Sequence, residues 1–190
     1  MSAPLAGVRV LEVANWLAVP AAAALLADLG AQVVKVEPPW GDPWRAFQFT
    51  SQGLTTAFPG NPAFEVDNRG KRSVAINLDR PQGQEAVRRL AEGADIFLTN
   101  LVPARRERYG LTYADLAPRN PRLIYLGFSG YGTTGPDRDR LGFDYAAFWA
   151  RSGIMSLVGH LSLTWPFRPT VRPALEAPVR ATSKGGSRDR

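Results

Sequence analysis

The sequence predicts an α/β fold, a mostly parallel sheet with flanking helices, and three observations support that expectation. Short runs rich in Val, Ile and Leu alternate along the chain with helical patterns. The first strand–helix–strand unit closes within about 30 residues, a spacing that requires a parallel crossover. The strand runs are nearly continuous in apolar residues, as expected of strands covered on both faces.

Val8 to Val13 (VRVLEV) reads as the first strand. The Ala- and Leu-rich stretch Pro20 to Leu29 is a helix with proline near its start, and Gly30 stops it. Val33 to Glu37 (VVKVE) is the second strand. Residues 38–72 break the rhythm with PPWGDPW and FPGNPAF, which predicts a long ordered loop or a linker to an accessory strand. Ser73 to Leu78 resumes as a strand. Asp79 then stands as a helix N-cap, with Pro81 in the first turn and Gln82 completing a capping-box spacing, before an amphipathic helix to Glu92. Asp95 to Asn100 (DIFLTN) is a strand, Pro103 to Tyr109 a short helix ended by Gly110, and Thr112 with Asp115 opens another helix. Leu123 to Ser129 (LIYLGFS) is a further strand, and Gly142 to Gly159 reads as one helix of about four turns. The last 31 residues lose periodicity and end in a Ser/Gly/Arg run.

Composition limits the chemistry. The 190 residues include no cysteine and one histidine, His160, which excludes disulfide frameworks, thiolate zinc sites, Cys nucleophiles and two-histidine mechanisms. His160 has no visible partner and reads as a surface side chain. No basic leader precedes an apolar core, and the longest apolar stretch, Trp16 to Ala27, falls short of the roughly 20 residues a spanning helix needs. A cytoplasmic location with no membrane attachment is expected. The net charge of +6 invites a nucleic-acid reading, but residues 160–190 hold six basic and two acidic residues, which leaves only +2 for the rest. No nucleic-acid partner is therefore expected.

Several motifs admit both a functional and a plain reading. Gly130 to Gly135 matches G-x-G-x-x-G, but Pro136 and the polar run Asp137 to Arg140 follow where a dinucleotide site needs a helix, so a glycine turn capping a strand is expected. Asn68-Arg69-Gly70-Lys71-Arg72-Ser73 is either a phosphate clamp or a solvated basic turn. Arg105, Arg106 and Arg108 follow Asn100 just past the carboxyl end of a strand, where ligands of open α/β sheets gather. Asp144 opens an apolar helix and reads as a first-turn carboxylate.

Together these stretches resemble the CaiB/BaiF family, the family III CoA-transferases, which also includes formyl-CoA transferases and α-methylacyl-CoA racemases. The resemblance is carried by LAGVRVLEVA (Leu5 to Ala14), LLADLGAQVVKVEPPWGDPWR (Leu25 to Arg45), NRGKRSVAINLDRPQGQE (Asn68 to Glu85) and ADIFLTNLVP (Ala94 to Pro103). RYGLTYADLAPRNPRLIYLGFSGYGTTGP (Arg108 to Pro136) and GFDYAAFWARSGIM (Gly142 to Met155) extend it. It implies a Rossmann-like domain that binds CoA at its strand ends, an interlocked homodimer, and transfer of CoA between an acyl-CoA and a carboxylic acid. The transfer would run through an acyl–aspartyl anhydride and an enzyme thioester, with CoA as substrate and no permanent cofactor or metal. By resemblance Ala18, Lys71, Arg72, Asn100 and Arg108 contact CoA, with Leu17 where formyl-CoA transferases carry glutamine. Phe143 stands where the racemase branch has a histidine, which favours transferase over racemase.

The resemblance fails at the catalytic motif, because Arg172-Pro173-Ala174-Leu175 is followed by Glu176-Ala177 instead of Gly-Asp. Glu176 is left as the candidate substitute nucleophile. The expectation is thus an N-terminal part of the large domain over 1–159, a divergent, poorly ordered tail over 160–190, and a truncated chain inactive by itself. The alternative is a non-catalytic module that binds CoA or pairs with an intact homologue.

Overall fold

The computed structural model describes residues 3–47 and 60–158. His160, Glu176 and the 160–190 segment lie outside the described residues.

Five parallel strands form one sheet: β1 (Arg9–Val13), β2 (Gln32–Glu37), β3 (Arg72–Ala75), β4 (Ile96–Thr99) and β5 (Ile124–Gly127), in the order β3-β2-β1-β4-β5. In register, Leu11 sits between Val34 on β2 and Phe97 on β4. The helices are α1 (Ala18–Asp28), α2 (Pro43–Ala46), α3 (Pro62–Asn68), α4 (Pro81–Glu92), α5 (Pro103–Tyr109), α6 (Tyr113–Leu116) and α7 (Ile154–Val158).

Strand alternation assigns the two faces. Leu11, Val13, Val36, Phe97 and Leu123 pack with Val87 and Ala91 of α4, Tyr109 of α5 and Leu116 of α6. Val10, Ala14, Val33 and Leu98 point the other way, against Val19 and Ala23 of α1, and α3 packs on α1. On that second face Glu12 and Lys35 follow Val10 and Val33 and are buried. The chain runs β1–β2–β3 to one side, then crosses to β4 and β5. The carboxyl ends of β1 and β4 therefore flank the point where connection direction reverses, which is where open α/β sheets bind ligands.

The α/β expectation is met, with three local corrections. First, among its described residues the 38–72 segment contains two short helices, each opened by an Asx–Pro pair. The Asp42 side chain accepts from Trp44 N, and Asn61 accepts from Ala63 N and Phe64 N, with Pro43 and Pro62 at the first helical position. Second, Asp79 caps no helix. Asn77 Oδ1 accepts from Asp79 N at 2.9 Å, which turns the chain one residue later, so Arg80 occupies the cap position without a side-chain bond. Third, the helix expected from Gly142 is a π-helical segment, Tyr145–Ala150, followed by a turn and then α7. Gly153 at φ +76° interrupts it. Thr112 and Asp115 do open α6 as expected, through a capping box, and Gly110 ends α5 in the left-handed conformation.

The Gly130 to Gly135 segment starts no helix, as expected. A Cβ on Gly130 would lie 2.2 Å from the Cα of Gly142, so the chain crosses itself there at backbone contact and closes the intervening loop at its base. That loop docks on α5, where Asp139 Oδ1 accepts from Ala104 N at 2.7 Å and Arg138 pairs with Glu107.

Candidate functional site

At the carboxyl ends of the strands lies a cavity of about 240 Å³. Its walls include Ala14 and Asn15 after β1, Glu37 and Pro38 after β2, Asn77 and Asp79 after β3, and Arg105 and Tyr109 of α5. Asn100 bridges the switch point: its Oδ1 accepts from Asn15 N at 3.1 Å and its Nδ2 donates to Asn15 O at 2.6 Å. Both polar groups of the Asn15 backbone are thereby satisfied, and the β1 and β4 ends are tied together. On the other wall, Arg108 Nη2 and Tyr109 Oη both donate to Asp79 Oδ1, at 3.0 and 3.2 Å. Burial pushes the Tyr109 hydroxyl up, and its bond to Asp79 adds to that shift. Arg105 is exposed at the rim with no ion pair among the described residues.

Of the residues singled out in the sequence, Asn100 and Arg108 converge at this edge, and Ala18 is exposed at the first turn of α1. Arg72 opens β3 and is exposed. Lys71 lies elsewhere, on the α1 face. Its side chain is 2% exposed and pairs with Glu12 Oε2 at 2.8 Å, while donating to Pro20 O and Asn68 Oδ1. The basic turn is thus neither fully solvated nor a single clamp: one cation is buried and its neighbour faces outward. Burial pushes the Lys71 ammonium below the usual lysine range, against the opposing charge of Glu12. Arg106 also faces inward, 6% exposed beside Tyr125, with Nε and Nη2 lacking an acceptor among the described residues.

Sequence reasoning missed the charged layer beneath the site. Lys35 Nζ donates to Glu12 Oε1 at 2.8 Å and to Ala14 O at 3.0 Å, and it forms an ion pair with Asp42 Oδ2 at 2.9 Å. With Lys71, this forms a chain of alternating charge, Asp42–Lys35–Glu12–Lys71, whose formal charges cancel. A buried pair survives only when both partners are present, since losing one costs about 3–5 kcal/mol. Glu37 next door is held by Arg45 through two 2.7 Å bonds, by Ser73 Oγ at 2.6 Å and by Asp42 N at 3.0 Å. Burial works to raise the Glu37 carboxyl, but these donors outweigh it and hold it at about 2. The available signal was the alternation itself: Glu12, Lys35 and Glu37 interrupt otherwise apolar strands at inward positions.

The same layer holds the turn after β1. Asp42 Oδ1 accepts from Trp16 N at 3.1 Å and from Trp44 N at 3.0 Å. Trp16, at φ +67°, is the only non-glycine residue with positive φ among the described residues, a conformation that costs about 1–2 kcal/mol for an L residue. Its ring lies 5.4 Å from that of Phe143 and 6.0 Å from that of Trp44, and Trp44 stacks on Phe47 at 4.9 Å. Trp44 Nε1 donates to Asp67 of α3 at 3.0 Å.

No group of three or more His, Asp or Glu side chains suited to a metal occurs among the described residues, and no described helix is long and apolar enough to cross a membrane. Both carboxylates on the cavity wall are engaged, Glu37 by Arg45 and Ser73 and Asp79 by Arg108 and Tyr109. The arrangement therefore offers donors and an apolar floor for holding an anionic ligand, without a free carboxylate nucleophile.

Comparison with known proteins gives relatives of both sequence and fold. The cinnamoyl-CoA:phenyllactate CoA-transferase of Clostridium sporogenes is 39% identical over 148 residues, covering 78% of this chain and 36% of that protein. The succinyl-CoA–D-citramalate CoA-transferase of Chloroflexus aurantiacus is 42% identical over 171 residues, covering 89% of this chain and 40% of that protein. The chain thus spans about two fifths of the length of these curated relatives. Among solved structures, a CaiB/BaiF family protein from Brucella suis superposes with a TM-score of 0.72 at 36% identity, covering 90% of this chain and 44% of that one. The profile of CoA-transferase family III matches residues 5–174, and with the parallel sheet and its strand-end cavity already in place, this match makes the chain a member of that family.

Proposed function

We propose that this chain is the CoA-binding portion of a transferase that moves CoA between an acyl-CoA and a carboxylic acid, with residues 1–159 as the working unit. The observation that carries the reading is the cavity beside the β1/β4 switch point, which Asn100 bridges, with Arg105 on its wall and Arg108 paired to Asp79 of that wall. A volume of about 240 Å³ is below the usual 300–1,000 Å³ of a full ligand pocket, so only part of CoA enters it. The nucleotide end is the part whose phosphates match guanidinium groups at the rim. Asn100, Arg108 and the exposed Ala18 and Arg72 are assigned to contact CoA. Lys71 is assigned to hold the α1 turn through Pro20 O.

Acyl transfer by the route the resemblance implies needs a carboxylate free to attack a thioester. Glu37 and Asp79 are both tied down, so binding, not turnover, is assigned to the described residues. Calorimetric titration with CoA tests the reading. Saturable heat is expected, with affinity about tenfold weaker in Arg108→Ala, the scale of one charge-assisted hydrogen bond. No heat from the wild-type chain overturns it. A CoA-transfer assay with Glu176→Gln tests the substitute nucleophile: turnover by the wild type that this variant loses would assign catalysis to Glu176.

A second reading, a module that pairs with an intact homologue, is favoured by one observation. The side chains of β5 on the α1 side of the sheet, Ile124 and Leu126, are 63% and 48% exposed, with Phe128 beyond them at 49%.

A further inference from the structure

We infer that Asp42 is a positioning residue for the CoA site, fixing Trp16 in its left-handed conformation so that the turn after β1 presents Leu17, Ala18 and the first turn of α1 to the ligand. The inference rests on the CoA-binding reading above and goes beyond it by assigning the geometry of the turn to a residue that touches no ligand.

Four observations support it. The Asp42 side chain is fully buried, and its two oxygens do different work. Oδ2 faces the Lys35 ammonium in an ion pair at 2.9 Å, and Lys35 is itself held by Glu12 and Ala14 O, so rotating the carboxylate breaks the buried charge chain. Oδ1 is thereby aimed at two backbone amides, Trp16 at 3.1 Å and Trp44 at 3.0 Å. A bulky residue at φ +67° persists only where its surroundings hold it. Asn100 grips the preceding residue, Asn15, on the far side, so the turn is clamped at 15 by β4 and at 16 by the segment after β2. The next residues, Leu17 and Ala18, are exposed, and the first turn of α1 has no side-chain cap. They are held from both sides, by this clamp before them and by the buried Val19 and Pro20 after them, with Lys71 on Pro20 O, and only the clamp reaches the strained residue. A purely structural carboxylate would need only Lys35 and Trp44, whereas the bond to Trp16 reaches the one strained residue beside the cavity.

A double-mutant cycle on CoA affinity, run well below the melting temperature, tests the inference. Asp42→Ala, which removes the acceptor of the Trp16 amide, is expected to weaken CoA binding at least tenfold in the wild-type background, but less than threefold in Trp16→Gly, where glycine adopts the left-handed backbone unaided. Equal losses in the two backgrounds, or no loss in the first, overturn it. If Asp42→Ala fails to fold, Trp16→Val against Trp16→Gly replaces it. Both lose the ring, but valine tolerates positive φ least, so it should bind CoA at least tenfold more weakly than the glycine variant, and equal affinity overturns the proposal. Amide exchange at residue 16 separates this from the CoA reading. Protection lost on removal of the Asp42 carboxylate supports the clamp whether or not CoA binds, protection retained rejects it, and a wild-type chain that binds no CoA rejects the CoA reading by itself.

Discussion

Arg106 and Gly127 explain each other. A Cβ at residue 127 would lie 2.1 Å from Arg106 Nη1 and 3.1 Å from Cζ, so the guanidinium occupies the space a side chain on β5 would fill. Two of its nitrogens nonetheless lack acceptors among the described residues, and an uncompensated buried charge is costly. Arg106→Leu is therefore expected to stabilise the chain by about 1–3 kcal/mol in urea denaturation. Gly127→Ala should cost about 1–2 kcal/mol in the parent and much less in the Arg106→Leu background. A destabilised Arg106→Leu would mean that the guanidinium has a partner elsewhere. Glu37 supplies a pH-dependent counterpart. Its folded-state value of about 2 lies below the 4.5 of the unfolded group, so its contribution is complete above about pH 5 and is lost as pH falls towards 2. With Arg45 45% exposed and screened by solvent, that contribution is on the order of 2 kcal/mol. Stability measured between pH 6 and 2 should fall less steeply in Glu37→Gln than in the parent. These residues were hidden in the sequence for one reason: a charge inside an apolar strand becomes meaningful only when its cross-strand partner is known, and Glu12 finds Lys35 across 23 positions.

Elements were more legible than side chains. Gly30 and Gly110, read as stops, lie at or just past the ends of α1 and α5, and the Thr112–Asp115 spacing gave the cap of α6, because these signals are local. The 38–72 segment was read as loop because the two helices among its described residues span only 4 and 7 residues, too short for periodicity to register. Their Asp–Pro and Asn–Pro starts were nevertheless legible. Asn61 does more than cap α3: its Nδ2 donates to Trp44 O at 2.5 Å and to Phe47 O at 2.8 Å, stitching α2 to α3. Asn61→Ala is expected to cost about 1–2 kcal/mol, at the upper end for a cap, by thermal denaturation. Asn61→Asp should recover only the cap, since aspartate cannot donate to the two carbonyls. The long helix expected after Gly142 failed for the opposite reason. Apolar residues abound there, but Phe148 is 53% exposed, so hydrophobicity alone did not specify a buried helical face.

At the scale of the molecule, strand polarity and the α/β class followed from alternation, while strand order did not, because which side β4 joins is decided by packing between distant segments. That order leaves β5 at an edge, with α5 and α6 below it and Ile124 and Leu126 bare above. Exposed apolar surface of this kind marks a contact region. Ile124→Lys with Leu126→Lys should leave the melting temperature within about 2 °C, since both sites are exposed, while reducing binding of a hydrophobic dye and any concentration-dependent association. A large fall in melting temperature would show that the face is already covered. The Asp42–Lys35–Glu12–Lys71 chain has a consequence of another kind. Its members come from β1, β2, the turn before α2 and the residue before β3, and apart from Lys35–Asp42, seven positions apart, its pairs join segments distant in sequence. A sheet with only one of these pieces in place would strand a charge in an apolar interior, which makes half-assembled forms of the β1–β3 side unstable. The charges thus act as a test of assembly, favouring cooperative, all-or-none closure of the half of the sheet that carries the turn after β1.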